Sequence, residues 1–261
     1  MRVTGIAARL PYPVARRLVP LLPSRAQRFH PASSWDAAAR MTHGYEASRH
    51  EVAPPRSAPP ADAASLSSRD VQLIACMGAA MGLAVPESTM RVVDLGGYHG
   101  GHRDVVVRAF PESTFDWTVV ELPDVVRACS GATSPGLHFT SDLDEALGEG
   151  VDICLASASL NYVPDPRSTL AAMARRSRAV VLLRLPLWPI TQHRPAIQRL
   201  SRHSAEVGYP TWFFSETQFR AEVAALGRIV LSIDVPEDRA YFSGHYGCYR
   251  GLVIAAGVPG A

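Results

Sequence analysis

Residues 91–102 read RVVDLGGYHGGH. Asp94 closes a short apolar run, and Gly96, Gly97, Gly100 and Gly101 crowd the positions after it. Glycines at that density let a backbone turn tightly and approach a ligand, with the amides of a following helix aimed at an anionic group. Glu121 stands 25 positions after Gly96. It ends the next apolar run, where a carboxylate accepts hydrogen bonds from the two hydroxyls of a ribose. Asp142 follows a third run, where an acceptor meets an exocyclic amine such as that of adenine. Together these residues describe a site for a nucleoside-type cofactor. The strict dinucleotide spacing G-x-G-x-x-G is not met, and Tyr98 stands in the middle of the loop.

A second group of residues suits the chemistry of an acceptor. Residues 186–214 carry His193, Arg199, Arg202, Tyr209 and Trp212 among prolines and aromatics. His193 is the leading candidate for a general base. Arg199 and Arg202 are three apart, so on a helix they share a face that suits a carboxylate or phosphate, or simply solvent. Asn161 and Tyr162 lie just past a fourth apolar run, placed to orient an acceptor. Arg184 is charged inside an apolar stretch and must reach a carboxylate, either in a cleft or as a buried structural partner. His102 opens a helix, where the dipole disfavours the imidazolium and leaves a neutral hydrogen-bonder. His99 and His102 without a third ligand type do not make a metal site.

These side chains need a scaffold, and the chain's periodicity supplies one. Strands are expected at 91–95, 115–121, 137–140, 151–157, 179–185, 228–234 and 247–256, with helices at 69–85, 101–110, 123–129, 142–148, 167–177 and 215–226. Several strands are apolar almost throughout, as in a parallel sheet covered on both faces. The alternation predicts a doubly wound α/β sheet, with ligands beyond the carboxyl ends of its strands. The last two strands are joined by VPEDRAYFSGHY, too short for a crossover helix, so an antiparallel hairpin should lie at or near the sheet edge. Residues 186–214 interrupt the alternation and should close over the strand ends as a lid.

Residues 1–66 differ from the body at 67–261. They are rich in Pro, Ala, Ser and Arg, and EVAPPRSAPPADAASLSS reads as an extended linker. Ser34 is placed to cap a short helix over SSWDAAAR. The first 40 residues hold seven arginines against one aspartate, which suits a solvated arm or lid, or contact with a membrane surface.

Composition narrows the chemistry. All 26 basic residues are arginine, as a GC-rich genome would give. Mechanisms that need a lysine are therefore excluded, including Schiff bases, the phosphate-loop GK[ST] motif and the Tyr-Lys pair of short-chain dehydrogenases. A net charge of +2 gives no reason to expect a nucleic-acid partner. No apolar run reaches the roughly 20 residues that span a bilayer. Cys76, Cys129, Cys154 and Cys248 are scattered without a CxxC pair, as in a reduced cytoplasmic protein.

In order along the chain, SWDAAARMTHGY, VVDLGGYHGGH, VVELPDVV, SLNYVPDP, LLRLPL and YPTWFFSETQF give a pattern that resembles class I S-adenosylmethionine-dependent methyltransferases. The likeness runs over about residues 33–256. It is nearest to a family of uncharacterised bacterial methyltransferases often encoded among genes for surface polysaccharides. The resemblance implies a Rossmann-like, mostly parallel seven-stranded sheet with an antiparallel terminal hairpin. It implies S-adenosyl-L-methionine as cofactor, contacted by Asp94, Gly96, Gly97, Tyr98, Gly100, Glu121, Asp142 and Ser157. It implies a small-molecule acceptor such as a sugar, a saccharide intermediate or a secondary metabolite. Tyr45 in HGY, Arg199 and Tyr209 would bind that acceptor, with His193, Asn161, Tyr162 and Arg184 nearest the chemistry. The family pattern has a third glycine where this chain has Tyr98, whose ring either packs around the loop or lies near the sulfonium as a cation–π partner. That departure keeps open a non-catalytic cofactor-binding protein or inactive partner subunit. A nicotinamide oxidoreductase on the same kind of sheet and an RNA methyltransferase fit less well. Neither the acceptor nor the oligomeric state is written in the sequence.

Overall fold

The computed structural model describes residues 14, 28–42, 66–84, 89–129, 131, 134–199 and 208–257. A short strand β1 (Phe29–Pro31) leads into helix α1 (Trp35–Arg40), capped by the Ser34 hydroxyl. Helix α2 (Ser68–Met81) starts in a capping box, with Ser67 and Asp70 each accepting from the other's backbone amide. Strand and helix then alternate: β2 (Thr89–Leu95), α3 (Gly101–Ala109), β3 (Thr114–Val120), α4 (Pro123–Cys129), β4 (Leu137–Thr140), α5 (Leu143–Leu147) and β5 (Val151–Ser157). A 3-10 turn at Leu160–Tyr162 precedes α6 (Pro166–Arg175), which opens on an Asp165 cap with proline in its first turn. Next come β6 (Ser177–Leu185), β7 (Leu187–Trp188), β8 (Arg194–Arg199), β9 (Gly208–Ser215), α7 (Glu216–Ala224), β10 (Gly227–Phe242) and β11 (His245–Ala256).

The main sheet has seven strands in the order β10-β11-β6-β5-β2-β3-β4. All of its pairings are parallel except those of β11, which runs antiparallel to both neighbours. The doubly wound sheet and its terminal hairpin are thus as expected. The hairpin turns through Ser243 and Gly244, both at positive φ (49° and 83°), which matches the right-handed twist of its strands. Its strands continue past the sheet, so β10 runs 16 residues where the periodicity predicts only 228–234.

Both faces of the sheet are covered. On one, Leu170, Met173, Phe219 and Val223 from α6 and α7 pack on Val93, Cys154, Val180 and Leu252. On the other, Leu73 and Met77 of α2 and Val106 of α3 pack on Val92, Ile153, Val181 and Val253. The central strands therefore carry apolar residues at odd and even positions alike.

The segment at 186–214 corrects the expectation of a helical Arg199–Arg202 face. Among its described residues it is β-structure, in a second sheet ordered β1-β8-β9-β7. Residues 29–31, expected to belong to an arm, pair in register with Gln198, Ile197 and Ala196. This sheet has its own core with the extended hairpin, in which Phe29, Trp188, Phe213, Val235, Phe242 and Tyr249 meet. The sequence pattern misses it because short strands of two to eight residues, broken by proline, carry no sustained period.

Candidate functional site

The main sheet changes winding direction between β2 and β5, the switch point at which open α/β sheets bind ligands. The glycine loop leaves β2 at that point. Gly96 (φ +73°) donates its N–H to Val120 O at 2.8 Å, reaching across to β3. A Cβ on Gly97 would overlap the Asp94 carboxylate, so only glycine lets the loop lie on that side chain. Gly100 (φ +83°) caps α3, and a Cβ on Gly101 would meet open space, leaving room beside the helix start.

Tyr98 takes φ +52° although it is not glycine. Its ring stacks on His99, centroids 3.5 Å apart, and stays 41% exposed. Among the described residues, three of the four non-glycine residues at positive φ are Tyr98, Ala158 and Arg184. They follow or end β2, β5 and β6 at the carboxyl side of the sheet, where stored backbone strain accompanies function.

Asp94 lies fully buried beneath the loop. It accepts from Trp117 Nε1 at 3.3 Å and pairs with His102 Nδ1 at 3.0 and 3.2 Å. Burial pushes the His102 pKa down, but the Asp94 charge and hydrogen bond prevail and leave it raised. That direction runs against the dipole-based expectation of a neutral His102. A helix terminus contributes about 0.3–1 kcal/mol, whereas a hydrogen bond to a charged group contributes about 1.5–3 kcal/mol.

Glu121 follows β3 beside the loop. Its Oε1 accepts from Tyr98 N at 3.2 Å and its Oε2 from Leu122 N at 2.9 Å. Burial raises its pKa, against the lowering effect of those amides. Asp142 caps α5 through Oδ1, accepting from the amides of Asp144 and Glu145 at 2.8 and 3.2 Å. Ser157 ends β5, and two residues later the buried Ser159 Oγ has no hydrogen-bond partner among the described residues.

On the acceptor side, Asn161 is 1% exposed. Its amide donates to Thr211 Oγ1 at 2.9 Å, while its buried Oδ1 has no partner among the described residues. The Tyr162 hydroxyl meets Gln198. These two contacts fasten the turn after β5 to the second sheet. Tyr209 is buried in β9 opposite Gln198, and Arg199 ends β8 exposed. Tyr45 and Arg202 lie outside the described residues.

Two of the expected site residues have partners within the fold. Arg184 meets Asp238 at 2.5 Å, and Asp238 also accepts from Arg69 at 2.7 Å. Of its two expected partners, a cleft carboxylate or a structural one, the hairpin's Asp238 is the one found. His193 accepts from Ser215 N at Nδ1 (2.9 Å) and pairs through Nε2 with Glu222 (3.1 Å), against the rings of Phe214 and Phe219. With both nitrogens engaged, it joins β9 to α7.

Sequence reasoning missed Trp117 and the pairing of His102. One signal was available, since an indole N–H in a buried strand needs an acceptor and Asp94 is the acid of the adjoining strand. A cavity of about 480 Å³ opens at the far edge of the sheet, lined by Trp188, Asp234, Cys248 and Arg250 among others. None of its lining residues belongs to the glycine loop, Glu121 or the turn after β5. Among the described residues no three His, Cys, Asp or Glu side chains group as metal ligands, and no helix is long and apolar enough to cross a membrane.

No protein-family model matches the chain, and no curated protein sequence matches it. Solved structures do. The Burkholderia thailandensis 1,6-didemethyltoxoflavin-N1-methyltransferase, with 1,6-didemethyltoxoflavin and S-adenosylhomocysteine bound, is 16% identical with a TM-score of 0.50, over 72% of this chain and 78% of that one. The N-terminal domain of EvdMO1, in the presence of S-adenosylhomocysteine and D-fucose, is 16% identical with a TM-score of 0.46, over 74% and 85%. CalS10, an amino pentose methyltransferase from Micromonospora echinaspora with S-adenosylmethionine bound, is 17% identical with a TM-score of 0.43, over 75% and 94%. At such identities the likeness is one of fold, and the fold shared with the toxoflavin methyltransferase is a Rossmann-like α/β sheet.

Proposed function

We propose that this protein binds S-adenosyl-L-methionine at the switch point and transfers its methyl group to a small-molecule acceptor held beneath the second sheet. The observation that carries this is Glu121, a partly buried carboxylate at the end of β3, beside a glycine loop that packs on the turn after β5.

The residues present fit the cofactor. Glu121 is placed to accept the ribose hydroxyls, Asp142 an exocyclic amine, and the unpartnered Ser159 Oγ a further polar group. Glu121 lies at the loop with no basic side chain among its hydrogen-bond partners in the described residues, which favours a ligand that offers hydroxyl donors over a pyrophosphate. The loop also lacks the strict G-x-G-x-x-G spacing of a dinucleotide site, with the stacked Tyr98 and His99 in its middle. Structures of the same fold that hold S-adenosylmethionine or S-adenosylhomocysteine support the same choice.

The cofactor supplies an electrophilic methyl on a sulfonium, and transfer is an in-line displacement. The chain's work is therefore alignment more than proton transfer. Asn161, held by Thr211, presents Oδ1 to accept a hydrogen bond from the acceptor's hydroxyl or amine. Tyr162, held by Gln198, packs behind it. The second sheet meets the turn after β5 through Thr211 and Gln198. The sequence resemblance supports a sugar, a saccharide intermediate or a secondary metabolite as acceptor.

Tyr98 at positive φ in the glycine loop favours one alternative, a protein that binds the cofactor without turnover. Calorimetric titration with S-adenosylmethionine, S-adenosylhomocysteine and NADH separates the readings. Micromolar binding of the first two with no response to NADH is expected, followed by methyl transfer in an acceptor screen. Heat from NADH alone would overturn the proposal.

A further inference from the structure

We propose that His102, as an imidazolium, is the positioning residue of the glycine loop: it is the counter-ion of the buried Asp94 on which Gly97 rests, and cofactor affinity depends on its charge. The inference rests on the methyl-donor reading of the site and adds to it a proton-dependent element beneath the loop.

The geometry is closed. Asp94 is completely buried, and its carboxylate has two side-chain partners, the Trp117 indole and His102 Nδ1. Trp117 is itself fully buried and cannot change its charge. An anion in that position needs a compensating cation or it destabilises its surroundings. Directly above, Gly97 leaves no room for even a methyl group between the loop and the carboxylate. Any movement of Asp94 is therefore felt by the loop, and through the Tyr98 amide by Glu121.

Charged groups from each neighbouring element act on His102. Asp94 of β2 and Asp70 of α2 favour the imidazolium, and Arg184 of β6 opposes it. Arg184 is itself neutralised by Asp238. On its own helix, Arg103 and Asp104 lie next in sequence and form a pair. Carboxylates thus outweigh cations around the ring, and the helix dipole acts against them.

The sign follows from the pairing. His102 stays protonated above the pH at which a free histidine, with a pKa of about 6.5, would lose its proton. The loop is seated at lower pH and loosens as pH rises through the raised pKa.

Two measurements on the full chain test this, one without the cofactor. In the free protein, NMR titration should show the His102 ring, the Trp117 indole N–H and the Gly96 and Gly97 amides moving with one midpoint, above the ordinary histidine value. A His102 midpoint below that value, or loop amides indifferent to it, overturns the proposal. With S-adenosylhomocysteine as probe, wild-type affinity should fall roughly tenfold through that midpoint, a change of about 1.4 kcal/mol. His102→Gln keeps a hydrogen-bond donor without the charge, and should bind weakly at low pH with a flat profile. A His102→Gln profile that still follows wild type overturns the proposal. If S-adenosylhomocysteine does not bind at any pH, the methyl-donor reading falls and with it the claim on affinity. The NMR titration still decides whether His102 seats the loop.

Discussion

A Cβ built on Gly96 falls 2.6 Å from the Ser159 Cβ, so the glycine loop after β2 and the turn after β5 meet through a missing side chain. The two sides of the switch point are in contact here, and Gly96 also sits at φ +73°.

Gly96→Ala therefore adds backbone strain and a steric overlap at once. Each costs on the order of 1–3 kcal/mol. The urea midpoint should fall without a change in slope, and S-adenosylhomocysteine affinity should drop further than stability does, because relief of the overlap opens the crevice. Gly101→Ala is the control. Its added methyl meets nothing within 4 Å, so the folded protein should tolerate it.

Burial of Glu121 comes at a cost to stability. Burial raises its carboxyl above the usual carboxylate range, so the folded state holds the proton more tightly than the unfolded state does. Its ionisation thus opposes folding. The penalty is absent below about pH 4.3, the ordinary glutamate value, and complete above the raised folded value. Glu121→Gln should unfold at a higher urea concentration than wild type at pH 8, with the gain shrinking as pH falls toward 4. The same variant should bind S-adenosylhomocysteine at least roughly tenfold more weakly, since a hydrogen bond to a charged acceptor contributes about 1.5–3 kcal/mol. A variant destabilised at pH 8 would show that the Tyr98 and Leu122 amides, not burial, govern this carboxylate.

The main sheet was legible because its strands are apolar on both faces and its helices begin at recognisable caps, such as Asp165-Pro166 and Ser215. Asp94, Gly96, Glu121 and Asn161 could be placed because each stands at the carboxyl end of such a strand. Partners contributed by distant segments were not legible. Arg184 meets Asp238 across 54 positions of sequence, and His193 meets Glu222 across 29. No local period announces either pair. The second sheet escaped for the same reason, since β1 and β8 lie on opposite sides of the whole stretch from α2 to β6.

That distant pairing makes Phe29 a test of whether the N-terminal strand belongs to the fold. Its ring is 4% exposed and meets Phe213 edge-on with centroids 5.0 Å apart. Phe29→Ala should cost about 3–5 kcal/mol in urea unfolding, the range for truncating a buried phenylalanine. A cost below about 1 kcal/mol, the scale of a surface substitution, would mean that β1 is dispensable and the second sheet stands on β7, β8 and β9.

Tyr98 decides between two roles for an aromatic ring in a glycine loop. Left-handed backbone costs a non-glycine residue about 1–2 kcal/mol, which Tyr98→Gly removes. The glycine in turn loses about 0.5–1 kcal/mol to chain entropy, and the stack on His99 is lost as well. Stability should therefore change little, and ligand affinity carries the information. A ring that faces the sulfonium attracts its charge by about 0.5–2 kcal/mol, an attraction that the uncharged sulfur of S-adenosylhomocysteine does not share. Tyr98→Gly should then weaken S-adenosylmethionine by more than it weakens S-adenosylhomocysteine, and Tyr98→Phe should leave both unchanged. Calorimetry of both ligands with the three proteins measures that ratio directly. Equal tightening of both ligands by glycine would instead mark the ring as an obstacle over the loop, and would strengthen the case for a protein that has given up turnover.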